Sequence, residues 1–586
     1  MKPPLHPLLS RWALLLGCLA TTACGGGAKY SVGRVSVARS EPERVRGFLT
    51  EAFLARLDRD PLLADRLGMP GVRSGWADLS DGFAIETAML LRRELDRAER
   101  GFNARRLDDS EERDLELISL ADRIALDELG WRGNLPLLST HHGVHRELPM
   151  HLLLHVRVDD LESAEAYAQR LESLGQQLSF VANEIRDRAS RGIAMPGSMA
   201  LAARDEIERL YISPAELKGP LMERIHSVAK IEAFARLRLA GRCRSALEGP
   251  VREGASRLVS ALEDTAADGP EDGGFWRLPG GRDGYQAALR RATTTEITPA
   301  ALHELALAEV ARLHADLRQL ASRVGFAGDV LEFLDSMRSH PELRFPPGDV
   351  GRDAWLLAVQ PRAEVAGLQI RALPDGLTPA SPRKGNRHDG LGTVLWVDLS
   401  HPERLGPYRI EAFLSRYAWP GYLTTVVGDD VFPRRGRIRR SLRWTAWEEG
   451  WALYAMALGR ELQRNPDAWS EIGWVCEELL SAARAVADTG IHMDRWTPER
   501  AVQYIVTNTA EREIDARWIV NGLEAIPASG TAALVGLHRM RDLRQRIASR
   551  LQEDFDRETF HAALIEAGPL PLESMEDAVL QLLDRP

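Results

Sequence analysis

Between residues 161 and 191, apolar side chains return every three or four positions: Leu161, Ala164, Ala168, Leu171, Leu174, Leu178, Val181 and Ile185. That spacing lays one continuous apolar stripe along an α-helix and leaves a strand no consistent face. Asp159-Asp160 stand before it as cap, and Gly192 and Pro196 follow as stop signals. The pattern recurs at 299–323, where Thr298 is a natural N-cap and Pro299 occupies the first helical position. Further long helices are predicted from about 41 to 125, at 441–462, 470–488, 497–515, 533–551 and 571–583. The best strand is Thr393–Asp398, with its run of Val, Leu, Trp and Val. The predicted fold is therefore mainly α, with two helical halves and a small β element. Turn-forming residues crowd 268–284 and 373–392. They divide a single large domain, 37–586, into an N-terminal half of about 37–270 and a C-terminal half of about 271–586.

Composition narrows the function classes. The 586 residues carry 75 Lys+Arg against 85 Asp+Glu, a net charge of −10. An acidic chain lacks the basic footprint of a nucleic-acid binder. After the first two dozen residues no apolar run approaches the roughly 18 residues that span a bilayer. The N-terminus reads as an export signal: Lys2 and Arg11 flank a short leader, Trp12–Ala20 is apolar, and Thr21-Thr22-Ala23-Cys24 precedes three glycines. This resembles a bacterial lipoprotein signal over residues 1–23, with Cys24 acylated and 24–36 a flexible tether. Cys18, in Leu15-Leu16-Gly17-Cys18, is the other acylation candidate, and a plain secretory signal is the simpler reading. Gly25 after the Cys resembles outer-membrane sorting, which implies an envelope location in a Gram-negative cell, with the membrane met only through the lipid. Cys243 and Cys476 are far apart without CxxC spacing, so two buried thiols are expected.

Three clusters could carry chemistry. His141, His142, His145, His151 and His155 contain two i, i+4 pairs, a spacing that can hold a metal. Gly143 and Pro149 interrupt them, however, which favours a loop leading into a helix. Arg434–Arg440 is a basic run suited to a solvated loop or to an anionic partner. The third is 441–461. There Trp444, Trp447, Trp451, Tyr454 and Leu458 make one apolar stripe, and Ala446, Leu453 and Met456 make a second with Glu449 inside it. A helix apolar on two sides is buried. A carboxylate there must be ion-paired, metal-bound or protonated.

Glu449-Gly-Trp-Ala-Leu-Tyr454 resembles the EGWALY motif of the bacterial family known as domain of unknown function 885. Gly274-Phe-Trp-Arg-Leu-Pro279, Thr293–Thr295, Thr298-Pro299 and Leu302–Val310 follow the middle region of that family. Arg484-Ala-Val-Ala-Asp488-Thr-Gly-Ile-His492 is similar to its RxxxDTGIH motif. Trp496-Thr497, Phe560-His561 and Gly568–Leu572 match its C-terminal landmarks. The resemblance implies an all-helical zinc-metallopeptidase-like fold with a deep cleft between two halves. It also implies a metal motif of the form HEAxPGHH ahead of EGWALY. At those positions this chain reads Arg416-Tyr417-Ala418-Trp419-Pro420-Gly421-Tyr422-Leu423. A guanidinium has no lone pair to give a metal, and a tyrosine is no carboxylate base. The family's PGQALSYKIG segment stands here as Pro527–Gly536, with Ala533 and Leu534 in place of its Tyr and Lys.

The expectation is therefore a degenerate site at Arg416, Tyr417 and Tyr422 that needs no cofactor, with Glu449 the one retained ligand candidate. Arg416 is expected to pair with Glu449 through its two parallel donors, in place of the cation. The chain would bind a peptide or protein in the old cleft. The alternative is a peptidase or hydrolase using zinc placed elsewhere, or the residual Glu449, Asp488 and His492.

Overall fold

The computed structural model describes residues 40–69, 71–365, 368–373, 383–384, 393–418, 420–422, 436–462 and 466–584. The leader with Cys18 and Cys24, the tether, Trp419, Leu423 and Arg434-Arg435 lie outside them. Residues from Glu41 onward form one compact unit, and it is mainly α-helical.

The stripe that opens the sequence argument becomes helix Leu161–Ser190, capped by Asp160, which receives the Ser163 backbone N–H. Its Ala168, Leu171, Leu178 and Ile185 are buried against Ile207, Leu221 and Leu258 in a core drawn wholly from residues 138–262. The second half is organised by helix Ala468–Met493. It is buried on nearly every side, between Val310, Leu313 and Leu317 of helix Pro299–Arg323 and Val520 and Leu523 of helix Glu513–Ala525. A third core joins helices Thr445–Leu462 and Ala532–Leu551 to the C-terminal helices, and it takes in Leu117. Helix Asp109–Trp131 thus packs on the C-terminal half, although it precedes the N-terminal core in sequence.

Two local expectations differ from the structure. The pattern at 497–515 is two helices, Pro498–Asn508 and Glu513–Ala525. The chain turns extended at Thr509, whose hydroxyl caps back onto the Ile505 carbonyl at 2.7 Å. Gly490 does not end its helix, which runs on to Met493. A Cβ there would stand 2.5 Å from the Trp496 ring, so the glycine is a seat for the indole. The expected strand, Thr393–Val397 (β3), is the central one of three, although its own residues suit an edge as well as a centre. It lies between parallel Leu368–Ala372 (β1) and antiparallel Arg383–Lys384 (β2). Its Val394, Leu395 and Val397 are buried, as a central strand requires. The sheet packs under Leu414 and Ala418 and so backs the helix that carries Arg416.

One carboxyl group ties the linker after the first core to the second half. Glu524, buried on helix Glu513–Ala525, accepts the Gly273 N–H at 3.0 Å. Burial raises its pKa to about 7, against that hydrogen bond, with Asp272 and Glu499 adding to the rise. The folded state therefore binds a proton more tightly than the unfolded chain, and stability falls as pH rises from about 4.5 to about 7. Glu524→Gln, which keeps the acceptor and removes the charge, should match the parent near pH 4.5. At pH 8 it should exceed the parent by up to about 3 kcal/mol in denaturant melts. A difference that does not change with pH would refute this.

Candidate functional site

The aromatic stripe of helix Thr445–Leu462 holds the surrounding chain in place. Trp447 and Trp451 stack with ring centroids 6.0 Å apart, and the Trp451 indole donates to the Gly421 carbonyl at 3.1 Å. That bond pins the Pro420-Gly421 turn, which follows helix Ile410–Tyr417, against the Glu449 helix. On the other side, Gly450 meets Gly536 of helix Ala532–Leu551. A Cβ on Gly450 would lie 2.5 Å from the Gly536 Cα, so only glycine permits this crossing.

Arg416, buried at the end of its helix, donates from Nη2 to Glu449 Oε2 at 3.3 Å. Its Nη1 points toward Glu477 Oε2 at 3.7 Å. The contact is therefore not the two-pronged fork expected from sequence. The guanidinium is shared between carboxylates on two different helices, and neither receives both donors. Burial opposes its charge, but the facing Tyr417, Glu449 and Glu477 outweigh this and hold its pKa above the usual value. Glu477 also lies 3.5 Å from Arg409, which pairs with Glu511. Tyr417 lies beneath the Arg416 guanidinium, 5.4 Å from ring centroid to Cζ, and burial pushes its hydroxyl up to about 12. Tyr422 turns elsewhere: its hydroxyl donates to Glu448 at 3.3 Å, beside Arg443.

Arg416, Tyr417, Glu449 and Glu477 form one wall of a cavity of about 660 Å³. Arg484, Ser529 and Ala533 line it as well, whereas Leu534 is buried in the core behind. Of Ala533 and Leu534, only Ala533 reaches the cleft. Asp488 and His492 do not line it either. Asp488 is fully buried and accepts from the Tyr285 hydroxyl at 2.6 Å, Ala528 N at 3.0 Å and Gly530 N at 2.9 Å. His492 Nδ1 accepts from Phe275 N at 3.3 Å, and its Nε2 lies 3.0 Å from the Leu523 carbonyl. Burial raises the Asp488 pKa and lowers that of His492. Both side chains are committed to holding backbone, with no lone pair directed at the cavity.

The donors present do not suit zinc. The side chains at 416, 417 and 422 are a guanidinium and two phenols, which offer a zinc ion no imidazole and no carboxylate, and Glu449 is engaged by Arg416. Among the described residues no three His, Cys, Asp or Glu side chains gather as a metal requires. The early histidines disperse. His142 bonds Ser139 and the Pro136 carbonyl, His141 packs on Trp518 at 4.3 Å, and His151 meets Asp65 at 3.0 Å. Cys243 and Cys476 are buried free thiols.

The sequence landmarks pair with one another in space. Tyr454 bonds His561 at 2.9 Å, His303 meets Thr489 at 2.7 Å, and Leu572 N reaches the Thr294 hydroxyl at 3.0 Å. The chain matches the family described as bacterial protein of unknown function, DUF885, over residues 61–579. It belongs to that family. Among solved structures, a presumed lipoprotein from Colwellia psychrerythraea is similar at TM-score 0.83 and 18% identity, covering 93% of this chain and 99% of that one. A presumed lipoprotein of unknown function from Shewanella oneidensis is similar at TM-score 0.67 and 14% identity, covering 93% and 100%. At such identities the DUF885 fold is what is shared. No curated protein matches the chain.

Sequence reasoning passed over Glu477 and gave Arg484 no place in the cleft. Their signal was present: Glu477, Ser481 and Arg484 stand at i, i+4 and i+7, a polar line along one face of a mostly apolar helix.

The Arg416–Glu449 contact can be weighed directly. A fully buried pair broken on one side costs about 3–5 kcal/mol. Here the Glu449 side chain is 23% exposed and the contact is a single hydrogen bond, so Arg416→Ala should lose about 2 kcal/mol. Combining Arg416→Met with Glu449→Gln should recover most of it, as read by urea melts. An Arg416→Ala protein as stable as the parent would remove the pairing from any structural role.

Proposed function

We propose that this DUF885 protein is an exported, lipid-anchored envelope protein that binds a peptide or protein in its cleft without a zinc catalyst at 416–422. The observation that carries the reading is Arg416. It stands in the Ala-x-Pro-Gly frame where the family pattern has a metal-binding His, and it offers Glu449 a permanent cation. A cavity of about 660 Å³ walled by an arginine–carboxylate cluster is suited to holding a ligand rather than cleaving it. The similarity to proteins described as presumed lipoproteins supports the anchor, together with Cys24 and its glycine tether. The outer membrane of a Gram-negative cell is the proposed site, with the body in the periplasm or at the surface. The alternative hydrolase using Glu449, Asp488 and His492 is disfavoured because Asp488 and His492 bond backbone away from the cleft.

Two measurements bear on this. Purified mature protein should contain no stoichiometric zinc and should not turn over a broad set of peptides. Stoichiometric zinc together with hydrolysis abolished by Glu449→Gln would overturn the reading. In cells, Cys24→Ser should release the protein from membranes and end labelled fatty-acid incorporation. Labelling that persists in Cys24→Ser but is lost in Cys18→Ser would move the anchor to Cys18.

A further inference from the structure

The arginines on the cleft wall are paired, with one exception. Arg416 meets Glu449 and Glu477, Arg443 meets Glu448, and Arg291 meets Glu128 at 3.4 Å. Arg484 lines the same cavity, yet among the described residues its guanidinium makes no hydrogen bond and no ion pair, and its Nε is buried without a partner. Burial and the nearby Arg416 oppose its charge and lower its pKa, while Glu449, Tyr417 and Asp488 favour it from a distance without bonding it. An arginine keeps its proton under such conditions. A planar five-donor cation therefore sits on the wall of a large cavity with no protein acceptor among the described residues and its Nε buried, an arrangement that an anion would complete.

Two neighbours share this condition. Ser481, one turn earlier on the same helix, and Ser529, on the loop that Asp488 clamps, both line the cavity. Neither hydroxyl is hydrogen-bonded among the described residues. Beyond Arg291 and Glu128 lies a second cavity of about 350 Å³, which shares those two residues and Ile526 with the first. Its walls are largely apolar, with Trp131, Leu135, Phe275 and Ala288.

We infer that Arg484 is a binding residue for the terminal carboxylate of a peptide whose last side chain is apolar and enters the second chamber. This rests on the peptide-binding reading and names the end of the peptide that is held. A carboxylate fits better than a phosphate. One unpaired guanidinium balances one negative charge, and a dianion would face Glu449, Glu477 and Glu128 with nothing left to offset it. The fork geometry of a guanidinium matches a carboxylate's two oxygens, with the serine hydroxyls as further donors.

The test uses the purified mature protein and pools of N-acetylated tripeptides, one pool for each apolar C-terminal residue. Each pool is made as the free acid and as the carboxamide, and inorganic phosphate is run alongside, all by calorimetry. At least one acid pool should bind ten-fold or more tightly than its amide. Arg484→Gln should abolish that preference, and Arg484→Lys should keep part of it. Because the guanidinium has no partner in the free protein, Arg484→Gln should also leave the ligand-free melting temperature unchanged or raise it; a marked fall would make Arg484 a structural residue and overturn the inference. Acid and amide binding equally would overturn the inference and leave the peptide-binding reading standing. Phosphate binding without any peptide binding would overturn both the carboxylate and the peptide. No binding by any pool would overturn the reading and the inference together.

Discussion

The fully buried carboxylate of Asp488 is the point on which the second half of the molecule is built. It sits within a helix surrounded by apolar side chains, where an unsatisfied charge would be severely penalised. Three donors meet it: a tyrosine from helix Gly281–Thr293 and two backbone N–H groups from the loop ahead of helix Ala532–Leu551. One side chain therefore fixes three chain segments against each other. The loop it fixes carries Ser529 and leads into Ala533, so the cavity wall takes its shape from a group that never touches the cavity. His492, one turn on, performs the same task between Phe275 and Leu523. The two residues of the DTGIH segment that look most like catalysts are fasteners.

The DUF885 landmarks are fastened to one another in the same way. Tyr454 with His561, His303 with Thr489, and Thr294 with Leu572 are bonds between landmarks far apart in sequence. Each is a constraint on the scaffold and is indifferent to what occupies the cleft. The 416–422 stretch is tied to the EGWALY segment as well, through Arg416 to Glu449 at 3.3 Å and through the Trp451 indole to the Gly421 carbonyl at 3.1 Å. The residue at 416 answers an electrostatic demand, because Glu449 and Glu477 face the same space from two helices. An arginine between them supplies a fixed positive charge and divides its donors between the two.

Much of this was legible in the residues. Helix periodicity at 161–190 and 299–323, with their Asp and Thr caps, follows from 3.6-residue geometry, and the structure keeps those boundaries within a residue or so. The two apolar stripes around Glu449 required a buried helix and a partner for its carboxylate, both properties of one segment. The meeting of Arg416 with Glu449 was inferable only through the family resemblance, in which the residue at 416 and the Glu of EGWALY face one cation.

What remained hidden depended on distant segments meeting. No local pattern says that helix Asp109–Trp131 crosses to the C-terminal half, since an apolar stripe specifies that a face is covered and not by which core. The central position of Thr393–Val397 needed a parallel partner from another stretch of chain, and its own residues suit an edge or a centre. Leu534 and Ala533 are adjacent in sequence, and only the docking of helix Ala532–Leu551 at Gly450 turns one to the core and the other to the cleft. The isolation of Arg484 is likewise tertiary. Its sequence offers Asp488 one turn away as a partner, but Tyr285 and the 528–530 backbone saturate that carboxylate first, and the arginine is left facing the cavity. The sequence by itself determined the helices and the charges they carry; the tertiary structure decided which charges are matched, because matching depends on which helices pack together.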